Sequence, residues 1–333
     1  MRPAVLSLCA SALAGSPNLI FMLQDDLGYN DVGFTSGTPS TDPAASANLT
    51  ALAREGIVLR QHYAHWHCSP SRRSFLTGRL PVHHGELLSD VDGDDVDLRW
   101  AWVSDKLKAR GYANWWFGKG HTGYKSTRHL PGAHGFDRFY GYLAGAGNYT
   151  TLARFDGDHP VHDDPTYSTE RFGALALDAV KAQPAGAPFF LYLPWQAVHS
   201  PYDLPPRDGG GTCAASDASA RCAGALSAML ADADAWAGAL VAALRARGLY
   251  ENTLFVYAAD NGGVDDGRTP LGGNNWPLRG EKHTSWQGGV RVAAFVSGGL
   301  VPSRFRGTRS DVVSHVADWC ARRPRGSGGG SRG

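Results

Sequence analysis

The chain is poor in three things. It has no uninterrupted run of about 18 apolar residues, which argues against a membrane-crossing helix. It has little charge of either sign in excess: 32 Lys and Arg face 31 Asp and Glu, and the basic residues form no long stripe. That balance argues against a nucleic-acid partner. It has only five cysteines, so each can be asked its role separately. There is also no internal repeat. What is abundant is apolar surface: 43% of the 333 residues are hydrophobic, enough for one large core or two smaller ones.

The chain begins MRPAVLSLCASALAGSPN. Arg2, a short apolar stretch and Ala12-Leu13-Ala14 together read as a secretory leader over residues 1–15, which places the protein in the secretory pathway, secreted or lysosomal/vacuolar. Cys9 falls in that leader. Cys213 and Cys222 lie in GGGTCAASDASARC, a stretch with no packing reason to hold two cysteines. A disulfide closing this loop fits an oxidising compartment; the alternative is two free loop thiols. Asn48-Leu49-Thr50 and Asn148-Tyr149-Thr150 are glycosylation sequons.

Short β-rich runs alternate with helical patterns, which predicts an α/β fold. Strands are expected at 18–23, 57–63, 112–117, 188–193, 253–257 and 290–296. Helices are expected at 48–54, 102–110, 169–182, 223–247 and 310–322, the fourth stopped by Gly248. Residues 126–166 and 200–223 read as long functional loops. The Arg/Gly-rich end, 323–333, reads as a disordered tail.

The chemistry sits just past the ends of the strands. Ligands of open α/β sheets bind beyond the carboxyl ends of the strands. Four of the expected strands run into Gln24-Asp25-Asp26, Gly118-Lys119-Gly120-His121, Val198-His199 and Asp260-Asn261-Gly262-Gly263. Asp25, Asp26, Asp260 and Asn261 are hard oxygen donors suited to Ca²⁺ or Mg²⁺. Taken singly, such pairs are usually turns, so the argument rests on the set. Lys119, His121, Lys282 and Arg72 would form a cationic side for a multiply charged oxyanion such as sulfate or phosphate.

Cys68 opens C-S-P-S-R-R-S-F-L-T-G-R. This resembles the signature of the type I sulfatases, C-x-P-S-R followed by T-G-R, with Cys68, Pro70 and Arg72 at its key positions. The resemblance continues along nearly the whole chain: Asp25-Asp26-Leu27-Gly28-Tyr29, Gly118-Lys119-Gly120-His121, Gly135-Phe136-Asp137-Arg138-Phe139, Val198-His199-Ser200-Pro201, Asp260-Asn261-Gly262-Gly263 and Trp276-Pro277-Leu278-Arg279-Gly280. The form N-N-W-P-L-R-G is most similar to the arylsulfatase B, or N-acetylgalactosamine-4-sulfatase, branch. Departures are Gly120 in place of a bulky aromatic, Gln287 where Glu is common, Ala258-Ala259 before Asp260, and the lack of Thr-Pro before Asn48.

The resemblance implies an alkaline phosphatase-like α/β/α sandwich with a mixed, mainly parallel sheet, as a catalytic domain over 16–322. The family's small C-terminal domain would be missing. The resemblance also implies that a formylglycine-generating enzyme converts Cys68 to Cα-formylglycine. Sulfate monoesters, on sulfated carbohydrates or aryl sulfates, would then be hydrolysed through a covalent enzyme-sulfate intermediate. Asp25, Asp26, residue 68, Asp260 and Asn261 would hold Ca²⁺, with Mg²⁺ as the alternative. Lys119, Lys282 and His199 would bind sulfate, with His199 or Lys282 as proton donor, His121 as proton acceptor and Arg72 as organiser. Rival readings are a phosphonate or phosphate monoester hydrolase on the same fold, and a non-catalytic sulfatase-like fragment. Trp115, Trp116, Trp195, Trp276 and Trp286 would suit sugar stacking or simple packing.

Overall fold

The computed structural model describes residues 15–37, 42–84, 95–214, 217, 219–264 and 272–320; the expected leader, apart from Gly15, and the expected tail at 323–333 lie outside them. The strands in chain order are β1 (Asn18–Gln24), β2 (Ile57–Leu59), β3 (His62–Tyr63), β4 (Ala113–Lys119), β5 (Arg138–Tyr142), β6 (Arg154–Asp156) and β7 (His159–Val161). They continue with β8 (Phe189–Pro194), β9 (Tyr202–Asp203), β10 (Thr212–Cys213), β11 (Thr253–Ala259), β12 (Ala294–Ser297), β13 (Thr308–Ser310) and β14 (Ser314–His315). The α-helices are α1 (Ala47–Arg54), α2 (Cys68–Thr77), α3 (Val103–Lys108), α4 (Ser168–Ala182), α5 (Ala220–Ala223), α6 (Ala225–Ala246) and α7 (Gln287–Val290).

Ten strands form one sheet in the order β13-β2-β12-β11-β1-β8-β4-β5-β6-β7. The run β11-β1-β8-β4-β5 is parallel; β12 on one flank and β6 on the other run opposite to it, and β2 and β7 beyond them pair antiparallel with these in turn. The central strands β1, β8 and β11 are apolar through their middles because both faces are covered. On one face Phe21 stacks on Phe75 of α2, and Tyr192 and Trp116 extend that aromatic layer. Tyr257 is paired in register with Met22, so it points to the opposite face, where it stacks on Phe295. That face carries α1, α4 and α6, with α6 packed on both of the others. The result is the expected helix-sheet-helix sandwich.

By length and composition α6 could cross a membrane. It is not an uninterrupted apolar run, because Asp232 and Asp234 break it. Here it is a packing helix: the Asp234 carboxylate accepts from the Asn48 and Leu49 backbone N–H groups and from the Asn48 amide, fixing α1 against it.

Four expectations need correction. Residues 310–322 were expected as a helix. In the described part of that range, Ser310 ends β13, which pairs with β2, and Ser314 N donates to Gln61 O before a 3-10 turn at Val316–Trp319. Strand pairing overrides the local pattern there. The expected loop 126–166 contains β5, β6 and β7, strands at one flank of the sheet whose polar residues hid them. The expected strand 57–63 is broken between β2 and β3. The expected strand 290–296 starts only at Ala294, because α7 ends at Val290. In the second long loop β9 and β10 pair, and Cys213 and Cys222 form the expected disulfide.

Candidate active site

The parallel neighbours β11, β1, β8 and β4 end at the same edge of the sheet. Asp25 and Asp26 leave β1 there, with Asp26 at φ 54°, a left-handed conformation uncommon for non-glycine residues and most accessible to Asn, Asp and His. The turn is stitched to the segment after β8: Asp25 N donates to Ala197 O at 3.1 Å, and Val198 N donates to Asp25 O at 2.8 Å. Lys119 is the last residue of β4, and Asp260 and Asn261 follow β11. Asn275 pins the latter segment by accepting from Gly263 N and donating to Gly263 O, both at 2.9 Å.

Cys68 is the first residue of α2, with Pro70 inside the first turn, where its missing N–H is no loss. Cys68 and Arg72, four apart, share the helix face that meets the strand ends. The thiol donates to Asp25 Oδ1 at 3.2 Å, and Lys119 Nζ is 3.4 Å from Sγ. Arg72 holds Asp260 Oδ2 through Nε and Nη2 at 3.0 and 2.7 Å, and its Nη2 lies 3.6 Å from Asp25 Oδ1. Lys119 Nζ is 2.5 Å from Asp25 Oδ2, and Lys282 Nζ is 2.9 Å from Asp26 Oδ1. His199 Nε2 is 3.3 Å from Lys282 Nζ and 3.6 Å from Asp26 Oδ2. Asp26 N donates to Asp260 Oδ1 at 3.3 Å and Asn261 Nδ2 to Asp26 Oδ1 at 2.8 Å, so these nine expected residues are joined in one continuous set of contacts.

These charges are buried, so each is set by its neighbours. Burial, then the nearby Cys68 charge, pushes Asp25 up despite Lys119. Burial and Asp25 push Asp260 up to about 6 against the pull of Arg72. Burial opposes ionisation of Asp26, but Lys282 and His199 hold it well below the usual carboxylate range. Burial and Asp260 raise the Cys68 thiol, yet Lys119 and Lys282 outweigh them and leave it well below its ordinary value. Burial and Lys119 lower His199, while Asp26 and Asp25 carry it above its ordinary value.

The oxygen set fits a hard divalent cation. Asn261 Nδ2 donates to Asp26 Oδ1 and Gly262 O at 2.8 and 2.9 Å, which fixes the amide. Its Oδ1 is buried without a hydrogen-bond partner among the described residues, a costly arrangement unless a cation answers it. Donor atoms of Asp25, Asp26, Cys68 and His199 all lie within 4.8 Å of one another. Three carboxylates and an amide oxygen are the donors that Ca²⁺ and Mg²⁺ take.

His121 reaches the same edge by its backbone. It sits two residues past β4 at φ 57°, and its N donates to Leu143 O at 3.0 Å. Its ring is so close to Gly145 that a Cβ there would stand 2.6 Å from Cε1. At Gly120 a Cβ would meet Tyr142 O at 2.9 Å, so the end of β5 fills the space that an aromatic at this position would need. Tyr142 itself was missed by sequence reading, because its stretch looked like loop. It is fully buried, and burial and the Asp25 charge keep its hydroxyl protonated. Asn275 was noted only as part of a motif; the signal for its role was its proximity to the Asp260 segment.

Comparison with known proteins agrees with this geometry. The family model described as Sulfatase matches residues 17–320. Mouse arylsulfatase J is 32% identical over 93% of this chain and 52% of its own length, and human arylsulfatase A is 33% identical over 90% and 63%. The chain thus spans between about half and two thirds of the length of these curated relatives. The solved structure of Ps i-CgsB in complex with k-i-k-neocarrahexaose superposes with a TM-score of 0.77 at 27% identity, over 92% of this chain and 70% of that one. From the turn before β1 to the last described residue, then, both the matched sequence and the arrangement around Cys68 place this chain in the sulfatase family.

Proposed function

We propose that the protein hydrolyses sulfate monoesters, with sulfated carbohydrate as the substrate class. The observation that carries this reading is the setting of Cys68: a thiol at a helix start, 3.2 Å from Asp25 Oδ1 and 3.4 Å from Lys119 Nζ, at the centre of a buried carboxylate-cation cluster. Its Sγ marks where the aldehyde oxygen of a formylglycine would stand. The sulfatase-type sequence from Cys68 to Arg72 is what a formylglycine-generating enzyme would act on. Substrate class rests on the neocarrahexaose bound by the structural neighbour and on the arylsulfatase B-like N-N-W-P-L-R-G segment.

Asp25, Asp26, Asp260 and Asn261, with residue 68, would hold Ca²⁺, or Mg²⁺ as the alternative. Bound there, the cation would favour the ionised form of a hydroxyl on hydrated residue 68. Arg72 orients Asp260 and Asp25 and favours their ionised forms against the effect of burial. Lys119 and Lys282 bring positive charge to the face where sulfate oxygens would bind, and need no reorganisation to do so. His199, held between Asp26 and Lys282, is placed to give a proton to the leaving alcohol. His121 is assigned the return proton, taken from the second hydroxyl of residue 68. The Cys213–Cys222 disulfide and the leader-like residues 1–15 support passage through the secretory pathway.

The test is mass spectrometry with aldehyde labelling of the peptide containing residue 68, from a host that makes the maturation enzyme. Hydrolysis of p-nitrocatechol sulfate is assayed beside p-nitrophenyl phosphate and a phenyl phosphonate. Aldehyde at 68 and preference for the sulfate ester support the reading. An unmodified thiol, or preference for phosphorus esters, overturns it.

A further inference from the structure

A second cavity lies away from Cys68, between α4, α6 and the loop after β9. It holds about 450 Å³ and is lined by Glu170, Arg171, Arg207, Asp232 and Trp236. None of these residues belongs to the cluster around Cys68. Trp236 lies flat on α4 because residue 173 is glycine: a Cβ there would stand 2.3 Å from the indole ring. The ring is only partly buried and forms one wall.

Asp232 is the unusual member. Its side chain is 5% exposed, and Arg207 Nη1 lies 3.7 Å from Oδ1, beyond hydrogen-bond distance. Its Oδ2 is buried with no hydrogen-bond partner among the described residues. Leaving such an oxygen unanswered is unfavourable, and Asp232 lines the cavity wall. Burial, despite Arg207, pushes this carboxyl up to about 6, which leaves it mainly ionised at neutral pH.

The charges around it decide what fits. Arg171 is already engaged by Asp164 at 2.8 and 2.9 Å, and Arg207 Nε lies 3.4 Å from Asp208. A sulfate or phosphate group would meet the carboxylates of Asp232 and Glu170, with Arg171 already committed to Asp164. An organic cation would meet Arg207 beside Asp232. A neutral polyhydroxyl ring suits them: its hydroxyls donate to Asp232 and Glu170 and accept from the half-exposed Arg207, while its C–H face covers Trp236. We infer that this cavity is a second carbohydrate site, which holds an uncharged sugar unit of a glycan apart from residue 68. The inference does not depend on the sulfatase reading.

Saturation-transfer NMR and calorimetry on the full chain would test it, using maltohexaose, cellohexaose and neoagarohexaose as probes, with choline and sulfate as comparison ligands. At least one hexasaccharide should bind. Trp236→Ala and Arg207→Ala should each weaken that binding about tenfold or more. Cys68→Ala should leave it unchanged. Arg207 is 43% exposed, so its variant tests the site even where loss of Trp236 loosens the α4–α6 packing. Binding by none of the three sugars, equal binding by the Arg207 variant, or displacement of sugar by choline or sulfate at this site would overturn the inference.

Discussion

Helix α2 separates two buried polar clusters of opposite character. On the face of Cys68 and Arg72, carboxylates and cations are buried together and Arg72, Lys282 and Asp26 are held charged. On the face of Ser71 and Ser74, histidines are buried with hydroxyls, indole and one another. His65 accepts or donates at 2.8 Å with Ser74 Oγ, and its N donates to Ser71 Oγ. Trp319 Nε1 donates to His62 Nε2 at 2.8 Å, a bond that requires this nitrogen unprotonated because indole only donates. Burial, then His315, lowers both His62 and His65 to about 3. Burial alone therefore does not decide ionisation. Where an opposite charge faces the group, charge survives; where the neighbours are neutral or basic, it is lost.

The contrast can be broken most severely at Cys68. Cys68→Ala should lower sulfate ester hydrolysis by about 10⁴-fold or more, with an unchanged melting temperature; turnover of an aryl sulfate and a thermal melt check this. The histidine face should respond to acid. His62 has a folded pKa of about 3 against an ordinary 6.5, so between these values the unfolded chain binds the extra proton. Its contribution is complete above about pH 7 and is lost as pH falls towards 3, by as much as ~5 kcal/mol. Denaturant unfolding at pH 7, 5 and 4 should show the loss, and His62→Phe should flatten it.

Arg72→Gln should destabilise the fold by about 3–5 kcal/mol, because Asp260 is left buried without its paired cation while Asp25 keeps only Lys119. An unchanged denaturant midpoint would show that the two carboxylates are satisfied otherwise. The smallest effect sharpens the charged face. Ca²⁺ at about a hundred times its dissociation constant should raise stability by ~2.7 kcal/mol. That gain should shrink in Asn261→Ala, whose unpartnered oxygen is lost. A Ca²⁺-independent melt of the native chain would remove the metal assignment.

Much of this was legible in the sequence, and the reason is local. Asp25, Asp26, Lys119, His199, Asp260 and Asn261 could be found because each closely follows or ends an apolar run, and parallel strands end together. Cys68 was legible from the resemblance of its segment to the sulfatase signature, which also held Arg72. Tyr142 was not, because β5 lies towards the flank of the sheet, with mixed residues and no clean period. The end of the chain misled for the reverse reason: Val312, Val313 and Val316 offered a helical pattern, but pairing of β13 with β2 and the bond from Ser314 to Gln61 took those residues out of helix.

The sequence by itself determined the α/β alternation and the identity of the charged residues, since these come from composition and periodicity, and it left the Cys213–Cys222 disulfide beside the alternative of two free thiols, which the structure decided. Only the tertiary structure decided which charges meet. Lys282 lies 256 residues from Asp26 along the chain, and Arg72 lies 188 from Asp260, yet each pair is in contact. No local pattern encodes such contacts. They arise because the sheet order brings β11, β1, β8 and β4 side by side and α2 packs across their ends. The same packing buries His62 and His65 among neutral and basic neighbours, where they stay uncharged.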